Sequence, residues 1–184
     1  MQIVGEVEQF WWAYGDYAWD DIAGQRAGYA QLGYVRLMHR QYAPILYLDY
    51  YARPGALPAG AVPVDLATQG GGWQLPAGAS RGADGAVRLT GNATASLIVP
   101  VGGEGVYLLG AGLADAGAGQ ATLRCLGQGN AVLATFPGME TAPGTLQLAA
   151  LCPAETLALE IVLRGDEADE AEFRALRVWR VPLR

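Results

Sequence analysis

Short apolar runs, separated by clusters of glycine, proline, asparagine and aspartate, fill the chain from residue 64 to its end. They recur about every 8 to 15 residues, and several alternate apolar with polar side chains, as strands with one buried face do. No helical period competes with this pattern. We therefore predict an antiparallel β-sandwich over residues 64–184, with strands at AVRLT, ATASLIVP, GVYLLGAGL, QATLRCLG, AVLATFP, GTLQLAAL, TLALEIVLR and FRALRVWRVPL.

The pattern before residue 54 is different and predicts a small α/β segment over residues 1–53. QIVGEVEQFWWAY is rich in β-branched and aromatic residues and predicts a strand. Asp20 and Asp21 offer an N-cap for a helix that Gly33 would end. VRLMHRQY and ILYLDYYAR then predict two more strands, the second placing Tyr47, Asp49 and Tyr51 on one face. The predicted order is strand, helix, strand, strand.

The connector between the two parts is predicted at residues 54–63. Three prolines interrupt the stretch RPGALPAGAVP, which therefore suits no regular element. Most aromatic residues precede it, whereas most glycines follow it. The fold expected for the whole chain is thus mainly β: a sandwich preceded by a strand-helix-strand segment.

Charge and composition exclude several classes of function. The 184 residues carry a formal charge of −6 and no lysine, so no basic stripe is available for nucleic acid. No apolar run approaches the roughly 18 to 20 residues that cross a bilayer. The start, MQIVGEVEQFWW, has neither the basic residues nor the apolar core of an export signal. The acidic cluster at residues 166–172 fits a solvated loop between two strands and lacks a calcium-ligand pattern.

The two cysteines, Cys125 and Cys152, both fall in predicted strands, TLRCL and LAALC. In a sandwich they could meet and form one disulfide, but buried free thiols suit the sequence equally well. One histidine and no CxxC motif leave a zinc ion short of ligands, so we predict no metal site.

Catalytic chemistry has few candidates. His39 is the only imidazole, and neither cysteine lies in a nucleophile motif that could use it. Carboxylate pairs of the kind that hydrolyse glycosides could be drawn from Asp16, Asp20, Asp21 and Asp49. Helix capping explains Asp20 and Asp21 better. The glycine-rich GGEG and GAGLADAGAG segments fit hairpin turns, since they lack the lysine of a phosphate loop. We predict a protein that is not an enzyme and binds no cofactor.

Exposed aromatic rings are the best candidates for ligand binding. Trp73 lies in a glycine-rich loop, GGGWQLP, where its ring could stack on a sugar or could instead close the open end of the sandwich as a plug. We add Asp84 and Tyr107 to Trp73 as candidate ligand-binding residues. Trp179 alternates with apolar neighbours on the last strand and is expected to be packed in the core or between domains.

The second part resembles a β-sandwich of the galactose-binding or jelly-roll type. Such sandwiches lie at the C-terminal end of some bacterial membrane glycosyltransferases and in polysaccharide-assembly proteins. The matching stretches are GGW at 71–73, VRLTGNATASLIVP at 87–100 and EFRALRVWRVPL at 172–183. Leu89 stands where that pattern has a tryptophan, and the closing glycine is absent.

The first part is similar to the segment that follows the last membrane span in polytopic glycosyltransferases of the lipid-phosphate-sugar type. There, a strand like IVGEVEQFWW leads to a helix ending in Gly-Tyr and a strand like PILYLDYYARP. The resemblance implies a non-catalytic, extracytoplasmic accessory domain that contacts a glycan or lipid-linked sugar, with a membrane-embedded catalytic portion in the same polypeptide. The alternative is a free-standing carbohydrate-binding or structural sandwich.

Overall fold

A computed structural model describes residues 7–15, 21–53, 56–57, 60–66, 72–114, 119–142, 144–166 and 170–181. The chain forms two compact units, Met1–Ala59 and Gly60–Arg184, here called the small unit and the sandwich unit. Their division falls within the predicted connector, 54–63. In the described part of the chain, no helix has the length and apolar character needed to cross a membrane.

The small unit is a three-stranded antiparallel sheet with one helix. Its strand order is β1-β3-β2 among the described residues, so the last strand in sequence is central. The elements are β1 (Gln9–Gly15), α1 (Ile22–Gln31), β2 (Val35–Ala43) and β3 (Leu46–Ala52). This confirms the predicted sequence of strand, helix, strand and strand. Residues 2–6 of the predicted first strand lie outside the described residues.

Helix α1 begins and ends where the sequence predicts. The Asp21 carboxylate accepts a hydrogen bond from the amide of Gly24 at 2.9 Å, which satisfies one of the free donors of the first turn. A side chain at Gly24 would collide with that carboxylate, because its Cβ would lie 2.0 Å from Asp21 Oδ2. Gly33 ends the helix with a φ of +83°, a conformation that suits glycine.

Aromatic rings form the core of the small unit. Phe10 lies 4.9 Å from Tyr29, 5.1 Å from Tyr34 and 5.2 Å from Tyr51, measured between ring centroids. Trp12 packs against the same cluster, whereas Trp11 points to the opposite face and is 41% exposed. The two tryptophans therefore lie on opposite faces of the strand.

The sandwich unit consists of two antiparallel sheets, which confirms the predicted fold class. Within the described residues, one sheet has the order β11-β10-β14-β8-β5 and the other β12-β13-β9-β15-β7-β6, with β4 also pairing to β15. The strands are β4 (Val62–Val64), β5 (Trp73–Gln74), β6 (Ala79–Arg81), β7 (Val87–Thr90), β8 (Thr94–Pro100), β9 (Gly105–Leu113), β10 (Gly119–Leu126), β11 (Val132–Pro137), β12 (Met139–Ala142), β13 (Thr145–Cys152), β14 (Ala158–Gly165) and β15 (Glu170–Val181).

Rows of aliphatic side chains fill the space between the sheets. In the first sheet the central row joins Leu123 of β10, Ile161 of β14 and Leu97 of β8, which are direct cross-strand neighbours. All three are almost completely buried. The opposite sheet contributes residues such as Leu109 and Leu148, also paired and buried. In strands such as β8 and β14 the period-two alternation of the sequence thus places one face in the core.

A disulfide links the two sheets. Cys125 of β10 and Cys152 of β13 are bonded, with their Cα atoms 5.6 Å apart. Both side chains are fully buried. The bond closes a loop of chain across a sequence separation of 27 residues.

One sequence prediction needs correction. Val62 and Pro63 were predicted to belong to an irregular connector, but they form β4 together with Val64. Pro63 lies opposite Trp179 in the pairing of β4 with β15. Proline is tolerated because a short edge strand does not need every amide for its ladder. The short strands β5, β6 and β12 also went unpredicted.

Candidate ligand-binding cleft

Strand β15 changes its partner along one edge. Its first part pairs with β7 from Glu170 to Phe173, and its last part pairs with β4 from Val178 to Arg180. On the other edge it pairs with β9 on both sides of a register shift between Arg174 and Arg177. Such a bulge leaves residues out of the ladder and bends the strand locally. On the edge that β7 and β4 share, residues 174–177 of β15 therefore pair with no described strand.

The bulge contains an unusual backbone conformation. Ala175 has a φ of +49°, in the left-handed region that glycine normally occupies. A left-handed conformation costs an L-residue roughly 1–2 kcal/mol, so the surrounding pairing must hold the bulge in place. Non-glycine residues in this region often lie next to functional sites.

An open cleft of about 610 Å³ lies at this gap. Its wall combines two indole rings with four charged side chains: Trp73, Trp179, Asp65, Arg81, Asp84 and Arg177. Trp73 comes from β5 of one sheet, and the others come from β4, β6, β15 and their adjoining loops in or beside the other. Its volume is within the range of ordinary small-ligand sites.

Each of the two tryptophans lies against a strand that pairs with its own. Trp73 pairs with Leu97 of β8 and is half-buried. Trp179 lies over Gly110 of β9, where a Cβ would be 3.3 Å from its Cζ3 atom. Trp179 was expected in the core or between domains; its ring is half-buried and does not lie in the core, whereas its neighbour Val178 does. Strand alternation places the two side chains on opposite faces.

One hydrogen bond and one ion pair hold Asp84 in the wall of the cleft. Asp84 Oδ1 accepts a hydrogen bond from the amide of Ala86 at 3.1 Å, which closes the turn between β6 and β7. Asp84 Oδ2 lies 3.7 Å from a guanidinium nitrogen of Arg88. Asp84 thus stabilises the turn in which it lies and also lines the cleft.

Arg88 connects this turn to β15. Its guanidinium donates to both carboxylate oxygens of Glu172, at 3.2 and 3.3 Å. Arg174 donates to the same carboxylate at 2.7 Å. These hydrogen bonds, from Arg174 first and Arg88 second, lower the pKa of Glu172 to about 2. The network joins the turn between β6 and β7, which contains Asp84, to β15, the strand that carries the bulge.

The structure brings together only part of the predicted ligand-binding set. Trp73 and Asp84 line the same cleft, whereas Tyr107 lines a separate pocket that adjoins it at β4. Sequence analysis missed Asp65, Arg81 and Arg177 as wall residues. A signal was present for the bulge, because arginines at 174, 177 and 180 recur every three residues on a strand whose period is two.

A second polar cluster lies in the small unit. Asp49 is fully buried. Its carboxylate is 2.5 Å from His39 Nδ1, 3.4 Å from a nitrogen of Arg26 and 3.6 Å from one of Arg36. Tyr51 also donates a hydrogen bond to it at 3.4 Å. Burial, reinforced by the charge of Asp49, raises the pKa of Tyr51 to about 12. The cluster is a network of partly exposed basic groups around one buried carboxylate.

This cluster contains a histidine and an aspartate but offers no nucleophile of the usual kind. Residues 1–59 include no serine, threonine or cysteine. Of the four carboxylates considered for glycoside hydrolysis, Asp21 caps α1 and Asp49 is ion-paired, while Asp16 and Asp20 lie outside the described residues. Because removal of one partner of a buried charge is costly, we expect the network to contribute to the stability of the small unit.

Comparison with known proteins finds similarity in fold only. No protein-family model matches the chain, and no curated protein is significantly similar to it in sequence. Among solved structures, an accessory secretory protein of Streptococcus pneumoniae is 12% identical, with a TM-score of 0.45 over 65% of this chain and 96% of that one. A carbohydrate-binding module of a Cellvibrio mixtus lichenase, solved with cellotriose, is 16% identical, with a TM-score of 0.35 over 66% and 97%.

A third similar structure is the enzymatically active domain of a tailspike protein from bacteriophage CBA120. It is 14% identical, with a TM-score of 0.41 over 52% of this chain. The match spans only 15% of the tailspike chain. Several other similar structures are carbohydrate-binding modules. All three described above are similar to this chain in fold at low sequence identity.

Proposed function

We propose that the sandwich unit binds a glycan in the cleft beside β15 and does not alter it chemically. The observation that carries this proposal is the wall itself, which places Trp73 and Trp179 beside two arginines and two aspartates. Sugars present apolar C–H faces and polar hydroxyl edges. Indole rings suit the faces, while guanidinium donors and carboxylate acceptors suit the edges.

The charges of the wall favour a neutral glycan. Arg81 and Arg177 contribute two positive charges, and Asp65 and Asp84 contribute two negative ones. The chain as a whole carries a formal charge of −6, so it repels anionic ligands at long range. A neutral oligosaccharide would use both kinds of charged group as hydrogen-bond partners without adding net charge. We therefore expect neutral sugars to bind better than uronic acids.

The direct test is a titration of the protein with xylohexaose, cellotriose and β-1,4-galactotriose by isothermal calorimetry. These neutral oligosaccharides occur in complexes with xylanase, lichenase and other carbohydrate-binding proteins of similar fold. At least one should bind, and Trp73→Ala should weaken its binding about tenfold, because one stacked ring contributes on the order of 1.4 kcal/mol. Trp11→Ala is the matched control, since Trp11 is an exposed ring of the small unit.

Two results would reject the proposal. One is a wild-type protein that binds none of the three oligosaccharides at millimolar concentration. The other is an equal loss of affinity in Trp11→Ala and Trp73→Ala, which would mean that the effect does not come from the cleft. Circular dichroism of both variants checks that each remains folded.

The resemblance to the C-terminal region of glycosyltransferases supports a wider proposal about the protein to which this binding domain belongs. The chain would be a non-catalytic accessory domain of a cell-envelope glycosyltransferase, working outside the cytoplasm and contacting a glycan or lipid-linked sugar. The disulfide supports an oxidising compartment, where such bonds persist. The reading frame upstream of Met1 tests this context. Continuation into several apolar spans of about 20 residues would support it, whereas a stop codon and ribosome-binding site there would favour a free-standing protein.

A further inference from the structure

A second pocket of about 480 Å³ adjoins the cleft at β4. We call it the Tyr107 pocket, after the residue that contributes its buried wall. Pro63, Val64 and Asp65 line both the cleft and this pocket. Its other walls are mainly apolar and end at one arginine: Val62, Pro100, Val101, Gly102, Tyr107 and Arg180.

The hydroxyl of Tyr107 is the unusual feature of this pocket. Tyr107 has 0% exposed surface, yet its hydroxyl has no hydrogen-bond partner among the described residues. A buried polar group left unsatisfied costs about 1–3 kcal/mol, so natural structures rarely contain one without a reason. Burial raises the pKa of Tyr107, and nearby Arg180 offsets this in part. The hydroxyl therefore keeps its proton at neutral pH and can donate it.

Arg180 reaches the same pocket next to the Tyr107 ring. It lies opposite Tyr107 in the pairing of β15 with β9 and donates one hydrogen bond to the carbonyl of Glu104 at 3.1 Å. Gly105 makes room for both side chains. A Cβ there would lie 3.3 Å from Arg180 Nε and 3.6 Å from Tyr107 Cε2. An arginine has five N–H donors, so others remain for a ligand.

We propose that the Tyr107 pocket is a second subsite, which holds a further sugar residue of the same neutral oligosaccharide that occupies the cleft. This inference rests on the proposed function of the cleft. The Tyr107 hydroxyl and Arg180 donate hydrogen bonds to hydroxyl oxygens of that sugar, and Val62 and Pro100 contact its apolar face. The ligand thus extends from one site into the other at β4, where Asp65 lines both.

A bound sugar would satisfy the hydroxyl that the protein leaves unpaired. Among the described residues this hydroxyl has no partner, and in the complex it gains one. Removal of the hydroxyl should therefore weaken binding without weakening the fold. A purely structural hydroxyl would show the opposite pattern, with lower stability and unchanged affinity.

The experiment compares Tyr107→Phe with Tyr50→Phe, using the tightest oligosaccharide of the calorimetric panel. Tyr50 is a matched control because it is also buried, but its hydroxyl donates to Gln9 at 2.6 Å. Tyr107→Phe should bind about tenfold more weakly, the loss of one hydrogen bond, with an equal or higher melting temperature. Tyr50→Phe should melt at a lower temperature and bind as the wild type does.

Arg180→Gln gives an independent measurement at an exposed residue of the same pocket. It should also weaken binding several-fold while leaving the melting temperature unchanged. Wild-type affinity in both Tyr107→Phe and Arg180→Gln, together with a loss in Trp73→Ala, would overturn the second subsite and leave the cleft intact. Failure of the wild type to bind any oligosaccharide would instead reject the cleft, and the subsite with it.

Discussion

The two units of this chain bury their cores in different ways. The small unit stacks rings, with Phe10, Tyr29 and Tyr51 in mutual contact, and encloses one carboxylate, Asp49. The sandwich unit buries rows of leucine, isoleucine and valine and adds a disulfide. One core therefore depends on directional contacts between polar or aromatic groups, and the other on apolar area and a covalent link.

This difference explains where a binding site could form. In the small unit most tyrosine hydroxyls need defined partners; Tyr34 donates to the carbonyl of Val7, and Tyr50 donates to Gln9. A shift of one strand would break several of these bonds at once. Register shifts occur in both units, between Arg36 and Met38 in the small unit and between Arg174 and Arg177 in the sandwich unit. The shift in the sandwich unit lies beside the open edge of β15, where the packing of aliphatic side chains is not directional and leaves room for the cleft.

Loss of the disulfide should lower the stability of the protein more than any other substitution proposed below. For a loop of about 27 residues, the chain-entropy model gives roughly 3.5 kcal/mol of stabilisation. A Cys125→Ala/Cys152→Ala double variant should unfold at lower urea concentration. Hydrogen exchange measured by mass spectrometry should show weaker protection in β10 and β13. Dithiothreitol should destabilise the wild type to a similar extent and leave the double variant unchanged.

Asp49→Asn should destabilise the small unit by about 3 kcal/mol. It removes the anion that Arg26, Arg36 and His39 share. The expected loss lies at the low end for broken buried pairs, because Arg26 and Arg36 keep contact with solvent, at 36% and 29% exposure. Hydrogen exchange should accelerate in β3.

The matched control for this variant is Asp21→Asn. Asparagine caps helices about as well as aspartate, so the same chemical change at the N-cap of α1 should alter stability by only a few tenths of a kcal/mol. Equal destabilisation by the two substitutions would show that the buried network contributes nothing special, and the contrast between the two cores would fail.

The smallest effect is expected from Glu172→Gln and depends on pH. The folded chain holds the pKa of Glu172 at about 2, below its ordinary value of 4.5. Its contribution to stability is therefore complete above pH 4.5 and is lost as the pH falls towards 2. The melting temperatures of wild type and Glu172→Gln should differ at pH 6 and converge in acid.

A difference between the two melting temperatures that is the same at every pH would contradict the assigned cause. Arg174→Gln removes the first of the two arginine donors, so it should weaken the pH dependence in part. The two variants thus test the charged network at the edge of the sandwich. The leucine, isoleucine and valine side chains of its interior do not titrate.

The sequence predicts most strands of the sandwich because their apolar residues either alternate with polar ones or form a continuous run. In β8, for example, Ala95, Leu97 and Val99 are buried and the residues between them are not, whereas residues 105–109 of β9 are all buried. The strands that went unpredicted are short. β4 is three residues long with a central proline, and β5 consists of Trp73 and Gln74 alone. Too few residues are present in either for a period to be visible.

The site was harder to predict than the strands, since it depends on pairing between distant parts of the chain. Arg81, Arg177 and Trp73 come together only because β6, β15 and β5 meet at one edge of the sandwich. The contact of His39 with Asp49 likewise depends on a register shift between Arg36 and Met38. Local sequence carries the alternation of a strand, whereas register shifts follow from the pairing of whole sheets.

The split edge of β15 also bears on how such a protein could diversify. The ladders on either side of residues 174–177 are anchored separately, by β7 before the bulge and by β4 after it. An insertion or deletion confined to the bulge would change the width of the cleft without moving either ladder. Homologues with different ligand preferences are therefore expected to vary in length at this point before they vary in the aliphatic rows. For protein engineering, these four residues are the natural place for a length-variable library.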